Sequence, residues 1–323
     1  MYKKTPENLT DEEKLKQLNE KIEDCIENKG AIEIRDAYLD KADFYKEKKN
    51  WTKFREVMDL ALTKTVGASK KLEYTMDILQ SYHEERNAVK FKEYLQKCKA
   101  LEEEGSDWEK KNKLSLYKAI ANINLRNFKL AAEQMISTIN TFNSPEIISF
   151  SDLIFYTTLL GILCLPRKII FEKLIQSSEV STELRRNSYM ESLLTSFYKC
   201  KYQEFFPSLL KVHAMVQNDE FLKKHDRYII RQARIVIYTQ FLESYKTVTL
   251  ENMANNFGVS ADFIDRELAE LIASRKLNCK IDKIQGIVES QKADSRISQY
   301  DAIVKKGDLL IEKMHKLARI AQN

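Results

Sequence analysis

Apolar side chains recur at intervals of three and four residues through roughly the first 246 residues. In the segment 31–50, Ile34, Tyr38 and Ala42 fall on one helical face, and charged side chains fill the opposite face. The segment that follows repeats the pattern. This periodicity predicts amphipathic helices along most of this part of the chain.

A short turn motif separates these predicted helices. A basic residue followed by asparagine occurs within 48–51, 85–88 and 125–128, and the asparagines are 37 and 40 residues apart. The segment 198–206 is a degenerate version, about two periods further on. Spacing in this range is typical of paired-helix repeats of the tetratricopeptide (TPR) type, which stack into an α-solenoid. Unrelated helical hairpins are the alternative, and the recurrence of the motif favours repeats.

The pattern changes after residue 246. Thr249 can cap a short helix that ends at Gly258, where a missing Cβ permits the left-handed conformation. Ser260 can cap a second helix that runs to about Ser274. Two helices joined by a tight glycine turn make a helix-turn-helix.

Alternating apolar residues follow this pair of helices. Leu277, Cys279 and Ile281 alternate with polar residues, and a second apolar run covers Ile284 to Val288. This pattern predicts a short β-hairpin, the wing of a winged helix over 247–290.

A last helix is predicted from about Ile297 to Ile320. Its apolar positions recur at steps of three and four residues, with Gly307 in the same series: Tyr300, Ile303, Val304, Leu310, Ile311, Met314, Leu317 and Ala321. On the residues alone, such a terminal helix more often packs back on its own domain than on a partner.

Composition supports a mostly helical protein of the cell interior. Glycine and proline are scarce (Gly 7, Pro 4), charged residues make up 31% and apolar residues 43%. The net charge of +5 is spread along the chain, and the five dispersed cysteines indicate free thiols in a reducing compartment. The most apolar stretch, Leu153 to Leu165, is too short for a membrane span and predicts a buried helix.

Motifs that carry enzyme chemistry are missing. The sequence has no GxxxxGK[ST] or GxGxxG loop, no HExxH or HxH, no CxxC and no GxSxG. We therefore expect no catalytic residues, no cofactor and no metal. A Cys–His pair assembled by folding is the alternative, and scattered cysteines are more often inert.

A winged helix raises nucleic-acid binding as a serious alternative. Its second helix, over 260–274, carries Asp262, Asp265, Glu267 and Glu270 against Arg266. Phosphate contact would need lysine and arginine there. We expect no nucleic-acid partner.

Residues 253–290 resemble the winged-helix half of a PCI domain, the module shared by the proteasome lid, the COP9 signalosome and translation initiation factor 3. The segments 238–250 and 292–320 are more specific, and resemble the family of the seventh non-ATPase subunit of the 26S proteasome lid. The likeness is dense from about Tyr198 onward and looser back to Asp11. Members of that family usually carry additional N-terminal residues that this sequence lacks.

The resemblance implies an all-α architecture with three parts. TPR-like repeats cover 1–165, a PCI domain covers 166–290 with its helical part at 166–246, and a bundling helix covers 291–323. It also implies a non-catalytic scaffold in the regulatory particle that supports ubiquitin-dependent degradation. The alternatives are the equivalent subunit of a signalosome-type complex and an RNA-contacting subunit of an initiation factor 3 type.

The partners that the resemblance implies are other PCI subunits of the lid and the C-terminal helices of lid subunits, with the ATPase base as a further candidate. The implied location is cytoplasmic and nuclear, with no membrane partner. In the wing and the last helix, the apolar side chains expected at this interface are Leu277, Ile281, Ile284, Val288, Tyr300, Ile303, Leu310, Met314 and Leu317.

Overall fold

A computed structural model describes residues 11–105, 107–290 and 295–321. The chain divides into two compact units between Pro166 and Arg167. The predicted all-α class is confirmed, because helices make up both units and one small sheet accompanies them. Residues 1–10 of the predicted repeat segment lie outside the described residues.

The first unit contains eight α-helices within its described residues, 11–105 and 107–166. Helices α2 and α3, α4 and α5, and α6 and α7 form successive pairs, and a 3-10 turn at Ile139–Thr141 follows α7. The helices are α1 (Asp11–Asn28), α2 (Ala31–Glu47), α3 (Trp51–Thr63), α4 (Ala68–Glu84), α5 (Ala88–Glu103), α6 (Trp108–Asn124), α7 (Phe128–Thr138) and α8 (Phe150–Cys164).

The turn inside each pair has the same backbone geometry. The basic residue of the motif adopts a left-handed conformation, with φ of 53° at Lys49, 60° at Arg86 and 62° at Arg126. The next residue, asparagine, donates its N–H to the carbonyl five residues earlier, for example Asn50 to Tyr45 at 3.0 Å. These bonds satisfy carbonyls that a helix end leaves unpaired.

Each pair buries its apolar face against the next pair. Helix α4 shows this directly, because Ile78 packs in a cluster with α2 and α3 residues, whereas Leu79 packs in a cluster with α5 and α6 residues. Ion pairs join successive pairs at the rim, including Arg55 to Glu85 at 2.7 Å. The predicted stacking of paired helices is therefore confirmed in the first unit.

In the second unit, the residues that the structure describes form eight α-helices and three strands. Helix α9 continues into a π-helical turn at Phe171–Ile175, and a 3-10 turn at Lys223–His225 precedes α13. The elements are α9 (Arg167–Ile170), α10 (Ser178–Arg186), α11 (Ser188–Tyr198), α12 (Tyr202–Asn218), α13 (Asp226–Ser244), β1 (Thr247–Thr249), α14 (Leu250–Phe257), α15 (Ala261–Ala273), β2 (Cys279–Asp282), β3 (Ile287–Ser290) and α16 (Ser295–Ala321).

The predicted helix-turn-helix is present with its predicted caps. The Thr249 hydroxyl accepts the N–H of Asn252, and the Ser260 hydroxyl accepts the N–H of Phe263, both at 3.3 Å. Gly258 ends α14 with φ of 68°. Packing of aromatic rings fixes α14 against α12 and α13, through Tyr202, Phe206, Tyr238, Phe241 and Phe257.

The sheet contains a hairpin where one was predicted and one strand more. The hairpin strands are shifted relative to the predicted runs over 277–281 and 284–288, and Ile284 lies in the turn instead of a strand. The strand order is β1-β3-β2 and both pairings are antiparallel, so that Val288 lies between Val248 and Ile281. The sheet contacts α14 through β1 and α15 through β2. The wing is therefore a three-stranded sheet whose central strand is β3.

Candidate protein-interaction site

The wing presents one apolar side chain to solvent in the turn between β2 and β3. Ile284 is 99% exposed. Asp282 Oδ1 accepts hydrogen bonds from the N–H groups of Ile284 at 2.9 Å and Gln285 at 3.3 Å. Gly286 adopts φ of 64°, and its carbonyl accepts the N–H of Leu250 at 2.8 Å. The turn is thus held by the Asp282 carboxylate and by one backbone bond, and Ile284 takes no part in the core.

The other three wing residues of the predicted interface are placed differently. Leu277 is 5% exposed, Val288 is fully buried, and Ile281 is half-buried. Leu277 and Val288 belong to the core of the module, so in this fold their side chains cannot reach a partner. Alternation identifies residues on one face, but here that face covers the chain's own helices.

Helix α15 uses two of its acidic side chains within the chain. Glu267 accepts hydrogen bonds from Arg234 Nη1 and from the Tyr238 hydroxyl of α13, each at 2.5 Å. Burial and the bond to Glu267 raise the pKa of Tyr238. Asp265 pairs with Lys283 of the wing turn at 3.2 Å. These contacts tie α13, α15 and the wing together.

A groove between α13 and α15 carries both signs of charge. Three arginines, two glutamates and two apolar residues line it: Arg231, Arg234, Phe263, Arg266, Glu267, Glu270 and Leu271. The acidic side chains interrupt the cationic surface that a phosphate backbone would need. This groove does not favour the RNA-contacting alternative.

Helix α16 leaves its apolar face unburied. Every residue from Gln299 to Arg319 is exposed except Gly307, which is half-buried. The exposed fractions of the apolar side chains run from 47% at Val304 to 70% at Tyr300. The helix therefore does not pack back on the domain that carries it.

The exposed large apolar residues of α16, with the exception of Leu309, form one continuous stripe. The spacing alternates strictly between three and four residues, which places one seam along the helix at positions 300, 303, 307, 310, 314, 317 and 321. Val304 and Ile311 widen the seam on one side. We call this face the α16 stripe. The predicted residues Tyr300, Ile303, Leu310, Met314 and Leu317 all lie on it.

One exposed aromatic group was not singled out from the sequence. Trp108, the first residue of α6, is 63% exposed and lines a cleft with Phe142. Asn143 Nδ2 donates to Glu109 Oε1 at 2.8 Å beside this cleft. A tryptophan in the first turn of an amphipathic helix looks like core from the sequence, and only the structure shows it exposed.

Two further features bear on what this chain can do. No helix in the described part of the chain is long and apolar enough to cross a membrane. Among the residues at 11–105, 107–290 and 295–321, no three His, Cys, Asp or Glu side chains come together as metal ligands would.

Comparison with known proteins identifies the family. The model of the family described as 26S proteasome subunit RPN7 matches residues 6–173, and the PCI domain model matches residues 210–292. A 26S proteasome non-ATPase regulatory subunit 6 homolog of Arabidopsis thaliana is 39% identical over 309 residues, 96% of this chain and 80% of the relative. The chain belongs to the RPN7 family. The resemblance inferred from the sequence is confirmed.

The RPN7 relatives extend across fungi as well as plants. The 26S proteasome regulatory subunit RPN7 of Saccharomyces cerevisiae is 32% identical, over 94% of this chain and 72% of the relative. COP9 signalosome complex subunit 1 of Arabidopsis thaliana is 24% identical over 61% of this chain and 45% of the relative. The PCI match ends at residue 292, so α16 lies outside both family models although the RPN7 relatives align over most of the chain.

Proposed function

We propose that this chain is a non-catalytic scaffold subunit of the lid of the 26S proteasome regulatory particle, where it supports assembly and ubiquitin-dependent protein degradation. The α16 stripe carries this proposal. An apolar face about six turns long needs a hydrophobic partner. None of the residues that the structure describes covers it, and RPN7 family membership supports lid subunits as the source.

The proposed partners follow from the two exposed apolar features. C-terminal helices of other lid subunits cover the α16 stripe, and neighbouring PCI subunits contact the wing at Ile284. The ATPase base is a further proposed neighbour, and the proposed location is cytoplasmic and nuclear. In this scheme 1–165 is the repeat segment, 166–290 the PCI domain and 291–323 the bundling segment.

Three of the five cysteine thiols are poorly suited to nucleophilic catalysis. Burial raises the pKa of Cys98 to about 12 and of Cys279 to about 11. Burial also raises the pKa of Cys164. A thiol nucleophile acts as the thiolate, which these three groups do not form near neutral pH.

The lid is preferred over a signalosome-type complex on the comparisons. The relatives named as proteasome subunits align with 94–96% of this chain at 32–39% identity. The signalosome relatives align with 56–61% at 21–24% identity. The scaffold role is common to both alternatives, whereas the particle differs.

Replacing Leu310 and Met314 with Asp tests the proposal in cells that assemble the particle. These side chains are 62% and 60% exposed, so we expect the free chain to keep its helical content and its melting temperature. In an assembled stripe each carboxylate would be buried without a partner, at a cost of several kcal/mol. Incorporation into the purified 26S particle should fall about 100-fold or more relative to the unchanged chain.

The control is Lys305→Asp. Lys305 is exposed and lies on the helical face opposite the stripe. This variant should enter the particle normally, because its carboxylate stays in water. If the Leu310 and Met314 variant enters the particle as well as the unchanged chain, the lid role of α16 is wrong. If Lys305→Asp is excluded equally, the stripe is not the docking face.

A further inference from the structure

The two edges of the α16 stripe differ in charge. At about 100° per residue, Lys306 and Lys313 lie on one edge, beside Leu310 and Leu317. On the other edge the apolar surface is widened by Val304 and Ile311 before the polar face begins. The stripe therefore has one basic edge and one apolar edge.

The outward-facing lysines of α16 have acids within reach on the same helix. Lys305 has Asp301 four residues before it and Asp308 three residues after it, and Lys316 has Glu312 four residues before it. Residues three or four apart are neighbours on a helix surface. These acids offset part of the charge of the two lysines, although no ion pair joins them in the described structure.

The edge lysines have no such acid. The residues three and four positions from Lys306 are Ala302, Ile303, Leu309 and Leu310. Those from Lys313 are Leu309, Leu310, Lys316 and Leu317. Arg319 also has no acid at these spacings, but it lies in the last turn, where a cation is favoured by the helix dipole. Lys306 and Lys313 are mid-helix cations left unpaired beside an apolar seam.

We infer that α16 binds a helix of a different chain that carries acidic side chains along the edge facing Lys306 and Lys313. The inference rests on the proposed function and specifies the partner of the same stripe. Covering Leu310 and Leu317 removes water from the adjacent ammonium groups. A carboxylate opposite the two ammonium groups offsets the loss of their hydration. A partner helix without such a carboxylate would therefore bind more weakly.

A second copy of this chain does not meet the requirement. In an antiparallel pair the basic edges face each other, which sets lysine against lysine. In a parallel pair the basic edge of one helix faces the apolar edge of the other, so that Lys306 meets Ile311 and Lys313 meets Ala318. Neither arrangement supplies a carboxylate, and the charge pattern selects against self-association.

The test compares two pairs of lysines in the full chain. Cells that assemble the particle express an unchanged chain with one tag and a variant with another, and the ratio of tags is measured in the purified particle. The edge variant is Lys306→Gln with Lys313→Gln, and its matched control is Lys305→Gln with Lys316→Gln. Both remove two charges, and glutamine has nearly the helix propensity of lysine.

We expect the edge variant to be outcompeted several-fold and the control variant to compete normally. Charge reversal, Lys306→Glu with Lys313→Glu, should deepen the loss to about tenfold or more, because like charges then face each other. The control removes lysines that have acids three or four residues away, and the edge variant does not. Weaker helix formation would therefore affect the control at least as much, and cannot produce the expected order.

The outcomes separate the inference from the proposed function. If both lysine pairs compete equally while the Leu310 and Met314 variant is excluded, the stripe docks without an acidic partner and only the inference falls. If all variants enter equally, the proposed function falls as well. A dimer of the purified full chain in sedimentation that the Leu310 and Met314 variant abolishes would also overturn the inference.

Discussion

At the scale of single residues, the turns inside the helical pairs are closed without glycine. Lys49, Arg86, Arg126 and Cys200 all have φ between 53° and 62°. A side chain in this conformation costs about 1–2 kcal/mol relative to the right-handed region. Backbone hydrogen bonds across each turn hold the geometry despite that cost. This is how a chain with only seven glycines closes so many helix ends.

Lys49→Gly should stabilise the first unit. Glycine adopts the left-handed conformation without a Cβ conflict, so the free energy of unfolding should rise by about 1 kcal/mol. The control is Lys48→Gly, one residue earlier, where φ is −82°. There glycine offers no conformational advantage and should lower the free energy of unfolding by about 0.5–1 kcal/mol. Urea denaturation of both variants measures the difference. Equal effects of the two changes would contradict the role given to φ at Lys49.

Asp77 on α4 makes stability depend on pH. Burial raises its pKa to about 6, against the opposing effect of Lys46 and Lys113. Because the folded state holds this proton more tightly than the unfolded state, stability falls as pH rises from about 4 to about 6. Asp77→Asn removes the titration, and should raise the free energy of unfolding by about 1–2 kcal/mol at pH 7.5.

Denaturation at two pH values measures this effect. At pH 4.5 most of the gain from Asp77→Asn should disappear, because the native carboxyl is then protonated. Glu84→Gln is the control about two turns further along the same helix, since Glu84 is exposed. It should give no gain at either pH. An Asp77→Asn gain of equal size at both pH values would show that charge is not its cause.

At the scale of elements, the contact of α13 with α15 depends on one carboxylate. Glu267 is 11% exposed and accepts from both Arg234 and Tyr238. Its loss would leave the buried Tyr238 hydroxyl without this acceptor and Arg234 without this charge partner. When one partner of a buried hydrogen bond is removed, most of the lost stability comes from the polar group that is left buried without a partner.

Glu267→Ala should therefore lower the free energy of unfolding of the second unit by about 2–3 kcal/mol. Glu270→Ala, three residues further along α15 on an exposed position, should change it by no more than about 0.5 kcal/mol. Chemical denaturation followed by tyrosine fluorescence measures both. If the two variants had the same free energy of unfolding, the contacts of Glu267 would not stabilise the second unit as proposed.

The sequence predicted the elements of the wing better than their environment. The caps at Thr249 and Ser260, the glycine turn and the hairpin are local features, which side chains a few residues apart determine. Strand β1 was missed because an alternation of three residues with a single apolar one, Val248, is too short to predict a strand. Its pairing with β3 is a contact between residues about 40 positions apart, which a local pattern does not contain.

At the scale of the whole molecule, the sequence predicted the repeat arrangement because each helical pair depends only on its neighbours. Helix α4 has two apolar faces: Ile78 packs on the preceding helical pair, and Leu79 packs within its own pair and on the next one. The sequence predicted only part of the candidate site. The α16 stripe follows from periodicity, whereas the burial of Leu277 and the exposure of Trp108 depend on which elements cover them.

The exposed stripe has a consequence for the supply of this subunit. A copy that finds no partner displays a long row of apolar side chains, including Leu310, Met314 and Leu317, of the kind that an unfolded chain displays. Quality-control factors that bind such surfaces will treat the orphan as damaged although both of its units are folded. The lifetime of the free subunit is then set by the abundance of its neighbours, and excess synthesis is removed rather than stored.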